Sequence, residues 1–255
     1  MTKKTSALAV KFYKINSVTI SQLMEMHGVF INYYHNADLQ TFIKDMCKKQ
    51  GIFLLVNKST GSIVGFSTWN EIDIVYKNKK SIGVFSGDTI VEEQYWGDKT
   101  LQKAFAIQLF KLKLKRMNRD VYWLLISKGY KTYLLMANNF LRYYPHYTRS
   151  NKKLESVVDH YCNLLYPDAY KLKDRLLDFG DDYQHLKDGV AEITDDMKTN
   201  NPKIKFFDEL NPAWRKGIEL PCAGEVSISM LWRFTKKNML PFSNKPRPVY
   251  QGDAL

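Results

Sequence analysis

Ser81-Ile82-Gly83-Val84-Phe85-Ser86-Gly87-Asp88-Thr89-Ile90-Val91-Glu92-Glu93-Gln94-Tyr95-Trp96-Gly97-Asp98-Lys99-Thr100 is the stretch on which the fold turns. Ser81–Val91 reads as a strand and Glu92–Asp98 as a polar turn. Lys99–Arg119 then carries Leu101, Phe105, Leu109 and Leu112 at i, i+4, i+8 and i+11 with lysines opposite, which predicts a long amphipathic helix. A strand that stops at a glycine-containing turn and enters a helix leaves the first backbone N–H groups of that helix unpaired, a ready site for an anion.

Working outward, Tyr122–Ile126 is nearly all apolar, as in a strand buried on both faces. A helix over Tyr130–Tyr144 follows, with Thr132 as its candidate cap and Pro145 closing it. Ser127-Lys128-Gly129-Tyr130-Lys131-Thr132 lacks the spacing of a phosphate loop and reads as a strand end opening into that helix. Upstream, Lys11–Ile15 reads as a first strand, and Ser17 or Thr19 caps a helix running to about Tyr34. Asp38 caps a second helix, Leu39–Lys49. Ile52–Asn57, the turn Ser59-Thr60-Gly61-Ser62 and Ile63–Asn70 make a hairpin, extended or followed by Ile72–Tyr76, with a lysine-rich turn at 77–80.

Beyond Arg149 the pattern weakens. Leu154–Leu165 and Asp168–Leu177 read as helices, Ile204–Phe207 as a short strand, and Glu225–Phe234 as the last strand. The proline-rich Pro241–Leu255 reads as an irregular tail.

The totals exclude several classes. No apolar run approaches the roughly 20 residues of a membrane-spanning helix. Ala7–Val10 is too short for a signal peptide, so the expected location is cytoplasmic. Cys47, Cys162 and Cys222 are scattered, which predicts buried, inert thiols and neither a disulfide framework nor a metal site. The five histidines show no ligand spacing, and His35 reads as a surface residue. The net charge of +12 is compatible with nucleic acid, with an acidic partner such as a phosphorylated cofactor or carrier protein, or with a solvated basic face. No nucleic-acid motif accompanies it.

The order strand, two helices, three antiparallel strands, long helix, strand, helix ending in tyrosine resembles the GCN5-related N-acetyltransferase (GNAT) superfamily over about Lys11–Tyr147. In that family the turn after the fourth strand reads Q/R-x-x-G-x-G/A and wraps the pyrophosphate of acyl-coenzyme A. Gln94-Tyr95-Trp96-Gly97-Asp98-Lys99 carries the Gln and the first Gly, and differs at the last position, where Lys99 stands for Gly or Ala. The resemblance implies an α/β fold with a mixed, largely antiparallel central sheet flanked by helices. It implies a core over 1–149, an extension over 150–240 packed on that core, and the tail 241–255.

It also implies a donor, acyl-CoA or the phosphopantetheine arm of an acyl carrier protein, held by Ile90, Val91, Gln94, Trp96, Gly97, Asp98, Lys99 and Thr100. Backbone N–H groups near Ile90–Val91 would hold the developing oxyanion between splayed strands that part at Val91. Tyr144 or Tyr143 would protonate the leaving thiolate, and Asp88 is the base for the acceptor, with Glu92 and Glu93 as other candidates. Strand alternation puts Asp88 and Glu92 on one face and Glu93 on the other. The activity implied is acyl transfer to an amine or hydroxyl of a small molecule or peptide, without a metal. The alternative is a non-catalytic module that keeps the fold but lost the turn, which Asp98 and Lys99 favour.

Overall fold

The computed structural model describes residues 7–76 and 79–230. The tail 241–255 and the end of the expected strand Glu225–Phe234 lie outside the described residues. In chain order the elements are β1 (Leu8–Lys14), α1 (Ile20–Phe30), β2 (Tyr34–His35), α2 (Leu39–Cys47), β3 (Gly51–Asn57), β4 (Ile63–Tyr76), β5 (Lys79–Ser86) and β6 (Thr89–Val91). Then come α3 (Thr100–Lys115), β7 (Asp120–Ser127), α4 (Tyr130–Asn139), β8 (Tyr143–Tyr144), α5 (Lys152–Leu165), β9 (Tyr170–Lys171) and β10 (Leu176–Leu177). β11 (His185–Leu186), α6 (Asp195–Asn200), α7 (Pro202–Leu210) and β12 (Leu220–Glu225) follow.

One mixed, mostly antiparallel sheet runs β1-β3-β4-β5-β7-β12-β8, with β6 paired to β4. β5 and β7 are its parallel pair. Helices cover both faces. On one, α3 and α4 bury Leu101, Phe105, Leu109, Tyr133 and Met136 against Phe53, Val84, Val121 and Trp123. On the other, α1 and α2 cover Ile52, Leu54 and Phe66 at one end. At the far end α5 covers Ile74, Phe85, Tyr122 and Leu124. Alternate residues of β7 thus enter two different cores, which is why its sequence is continuously apolar.

Local signals behave as read. The Thr19 hydroxyl accepts from Gln22 N–H at 3.2 Å, and the Gln22 side chain accepts from Thr19 N–H at 3.0 Å, closing a capping box. Asp38 Oδ2 accepts from Thr41 N–H at 2.8 Å. Trp69, Trp123 and Trp214 are buried.

Several expectations are corrected. α4 stops at Asn139 with no side-chain cap from Thr132, and Tyr143-Tyr144 form β8 beyond it. Residues 168–177 form not a helix but the β9–β10 hairpin. Arg175 turns the chain there at φ +54°, its guanidinium bound to Asp159 (3.2 Å) and Glu155 (3.0 Å) of α5. Ile204–Phe207 lies in helix α7, where Asn201 accepts from Lys203 N–H at 3.1 Å and Pro202 sits in the first turn. The last described strand is Leu220–Glu225, and residues 228–230 are helical. Cys47 is exposed, whereas Cys162 and Cys222 are buried and burial pushes their thiols up.

The organisation of the chain changes too. β12 pairs with β7 on one side and β8 on the other, so the 150–240 segment supplies an interior strand of the main sheet. Residues 145–219 are therefore an excursion between two neighbouring strands. Its 183–191 stretch returns to the first half of the chain, where β11 pairs with β2 as His185↔His35 and Leu186↔Tyr34.

One glycine decides how closely β6 lies on β4. A Cβ added at Gly65 would stand 2.6 Å from the Ile90 carbonyl oxygen and 3.1 Å from Val91 Cα, both backbone atoms. Gly65→Ala is therefore expected to lower stability by about 1–3 kcal/mol in urea denaturation, as overpacking does. An unchanged midpoint would show that β6 is free to move away.

Candidate functional site

The site begins where the sheet splits. β5 and β7 pair from Ser81↔Asp120 to Ser86↔Leu125, and Trp123 Nε1 donates to Ser86 Oγ at 2.8 Å just before the split. Beyond it, Gly87 and Asp88 break the strand. The β4 register runs Asn70↔Phe85, then Ser67↔Thr89, so β5–β6 carries one extra residue, a β-bulge. Thr68 clamps this bulge: its hydroxyl accepts from Gly87 N–H at 3.0 Å and its own N–H donates to the Asp88 carbonyl at 3.0 Å. β6 follows β4 while β7 continues with β12. The strands therefore part at Ser86 rather than at Val91.

The parting leaves the outer edge of β6 without a strand. Glu92 N–H and the Ile90 carbonyl face β4, so by alternation the N–H and C=O of Val91 face the gap. A narrow wedge of about 60 Å³ remains there, bounded by Tyr33, Ile90, Val91, Trp96, Lys131 and Leu186 among others. Trp96 fills much of it: its Nε1 donates to the Val91 carbonyl at 2.9 Å, and Lys131 Nζ lies 3.6 Å above the indole. The wedge as it stands is too small for a pantetheine thioester unless this indole swings away.

The turn itself is open. Gly97 is exposed at φ +90°, a conformation that calls for glycine, and a Cβ there would meet nothing within 4 Å. Gln94 and Lys99 are exposed, and the Gln94 amide donates to Glu92 at 2.9 Å. Asp98 points its Oδ1 at Thr100 N–H, 2.7 Å away, so a carboxylate of the chain itself occupies the start of α3.

A much larger cavity, about 700 Å³, opens on the other side of the split, between α2 and the C-terminal end of α5. Tyr34, Lys128 and Thr132 border both spaces. Its floor is polar. Asp88 faces it from the bulge. Lys49, with an 8% exposed residue surface, reaches in from the end of α2 and pairs with Asp45 at 2.7 Å. Lys128 enters from the β7–α4 turn and pairs with Glu219 at 2.7 Å, the glutamate being 2% exposed. The Lys128 ammonium also donates to the Gln184 carbonyl at 3.0 Å and lies 4.3 Å from the Tyr183 ring and 5.6 Å from that of Tyr34.

Burial sets the titration of the Asp88 and Glu219 carboxyls. It pushes the Asp88 carboxyl above the usual carboxylate range, against the opposing pull of the Lys49 and Lys128 ammonium groups. It raises Glu219 likewise, against the pull of Lys128. Burial also holds the phenols of Tyr34, Tyr166 and Tyr183 well above their ordinary value.

Among the expected residues, Asp88 lines the cavity, and Ile90, Val91 and Trp96 line the wedge. Tyr143 and Tyr144 stand elsewhere, on β8, two strands away from β7. Tyr143 is buried in the α4 core against His146, and Tyr144 packs on the α5 core; burial pushes each phenol up to about 12. Neither lines the wedge or the large cavity. Glu92 and Glu93 belong to the turn, where Glu93 N–H donates to the Tyr33 hydroxyl at 2.6 Å. Lys49, Lys128, Glu219, Tyr34 and Tyr183 were not legible as site residues, because no local pattern joins them. Among the described residues, no cluster of three or more His, Cys, Asp or Glu could hold a metal, and no helix is long and apolar enough to cross a membrane.

No family model and no curated protein matches the sequence. In fold the chain is similar to solved structures of acyltransferases. A protein of unknown function from Enterococcus faecalis V583, titled a probable N-acyltransferase, aligns at 14% identity and TM-score 0.40 over 53% of this chain and 33% of its own. NAA60 from Arabidopsis thaliana with a bisubstrate analogue aligns at 14% identity and TM-score 0.38, over 53% and 87% of the two chains. The GNAT family N-acetyltransferase YhbS from Escherichia coli in complex with CoA aligns at 12% and TM-score 0.35, over 50% and 67%. The match spans about a third of the first of these.

Proposed function

We propose that the chain transfers an acyl group from an acyl-CoA thioester to an amine bound in the large cavity. The observation that carries this reading is the split after Ser86, which puts the free edge of β6 on one side and the Asp88 carboxylate on the other. In this reading Asp88 takes a proton from the incoming ammonium, leaving a lone pair on nitrogen. That nitrogen bonds the thioester carbonyl carbon, the C–S bond breaks, and the second nitrogen proton passes to the departing thiolate. Val91 N–H, on the free edge, donates to the developing oxyanion. The acyl carrier protein remains the other donor consistent with a basic surface and an incomplete phosphate turn.

Donor entry requires the Trp96 indole to leave the Val91 carbonyl, which gives a direct readout. Titration with acetyl-CoA should change the emission of Trp96, and Trp96→Phe should abolish that change. Trp96→Ala removes a hydrogen bond that the donor must otherwise break, about 1.4 kcal/mol, so its affinity for acetyl-CoA should rise about tenfold by calorimetry.

A second reading, the non-catalytic module, is favoured by Asp98 lying on the first N–H of α3 and by the filled wedge. Failure of both wild type and Trp96→Ala to bind acetyl-CoA or an acyl carrier protein would select it.

A further inference from the structure

We propose that the large cavity selects a primary monoamine carried on an apolar, ring-bearing body, with the ammonium seated on Asp88. The substrate class rests on the acyl-transfer reading, whereas the binding itself does not.

Charge bookkeeping along the floor is the first argument. Asp45, Lys49, Asp88, Lys128 and Glu219 alternate in sign around the bulge. Each lysine has its own carboxylate at 2.7 Å, Asp45 for Lys49 and Glu219 for Lys128. Among the described residues no ion pair of 4.0 Å or less reaches Asp88. With Asp38, Asp182, Lys44 and Lys48 of the outer lining included, the cavity has five carboxylates and four lysines, an excess of one negative charge in a chain whose net charge is +12. Lys49 and Lys128 attract Asp88 without pairing with it, so a neutral or anionic ligand leaves that carboxylate without an ion pair, while a single ammonium supplies one. A second ammonium finds no equal seat: the Asp38 carboxylate caps α2 at 2.8 Å from Thr41 N–H, and Asp182 is exposed on the rim.

The walls are the second argument. Tyr34, Phe85, Tyr166, Phe179 and Tyr183 line the cavity. The rings of Tyr183 and Tyr34 already flank one ammonium, that of Lys128, which shows that their π faces are turned toward positive charge. About 700 Å³ is far more than an ammonium and a short chain occupy, so the aromatic walls are matched by an apolar body of ring size.

The test is calorimetry on the full chain without any thioester, using 2-phenylethylamine, its neutral isostere 2-phenylethanol, and spermidine, each on wild type and Asp88→Asn. The expected result is 2-phenylethylamine bound at least tenfold more tightly than 2-phenylethanol, spermidine no more tightly than 2-phenylethylamine, and the amine preference lost in Asp88→Asn. Equal binding of amine and alcohol to wild type, a tenfold preference for spermidine, or an amine preference that survives Asp88→Asn would each overturn it. Thermal melts of Asp88→Asn show separately that the variant is folded. Amine binding without acetyl-CoA turnover would sink the transferase reading and keep this site. Turnover on a peptide acceptor with no binding of 2-phenylethylamine would sink this inference alone.

Discussion

Asp88→Asn should lower kcat/KM for amine acylation by roughly a hundredfold to ten-thousandfold, the usual worth of a positioned base, while leaving the protein more stable at neutral pH. Burial raises the carboxyl of Asp88, so in the wild type the acid limb of the kcat/KM profile should lie above the ordinary carboxylate value of about 3.9. That limb should vanish in the variant. The sign of the stability effect follows from linkage. A carboxyl whose folded pKa exceeds its unfolded one binds its proton more tightly in the folded state. Its contribution is full below the unfolded pKa and is lost as pH rises through the folded one. Above the folded pKa the wild type has lost it, and the variant carries no ionised group there. The melting difference between the two should therefore be largest above that pKa and shrink toward pH 4. A variant that melts lower than wild type at pH 7 would mean that attraction to Lys49 and Lys128 outweighs burial.

Lys128→Met should destabilise the fold by about 3–5 kcal/mol in urea denaturation, the cost of leaving one partner of a buried pair behind. Glu219 is 2% exposed and its ion pair among the described residues is with Lys128. The same ammonium ties the Gln184 carbonyl to the end of β7, so its loss also removes one of the bonds that hold the 183–191 stretch at the mouth of the site. Lys128→Met combined with Glu219→Gln removes both charges and should recover most of the loss, since a pair replaced together is often neutral. If the double variant is as unstable as the single one, the ammonium's contacts with the Tyr183 ring and the Gln184 carbonyl, and not its pairing with Glu219, hold this corner.

Much of the frame could be read from short-range chemistry. The apolar stripe Leu101, Phe105, Leu109 and Leu112 does face the sheet, and the hairpin around Ser59–Ser62 joins β3 to β4. Asp88, expected within one continuous strand Ser81–Val91, lies instead in the bulge between β5 and β6, which no local pattern records. Tyr143 and Tyr144 were misplaced because the apolar pattern of α4 continues past Phe140 into a segment that instead pairs with β12. Pairing with β12 depends on a strand some eighty residues later, and no periodicity records it.

By itself, then, the sequence determined what neighbours in the chain can enforce: the caps at Thr19 and Asp38, the helical stripe of α3, the left-handed turn at Gly97. Each depends on contacts within a few residues, and the residue types announce them. Tertiary structure alone decided that β6 leaves β7 after Ser86, that Glu219 meets Lys128, and that Tyr34 and Tyr183 close over both. Those arrangements come from strand register and from charges buried together across long separations, where the partner, and not the local sequence, selects the conformation.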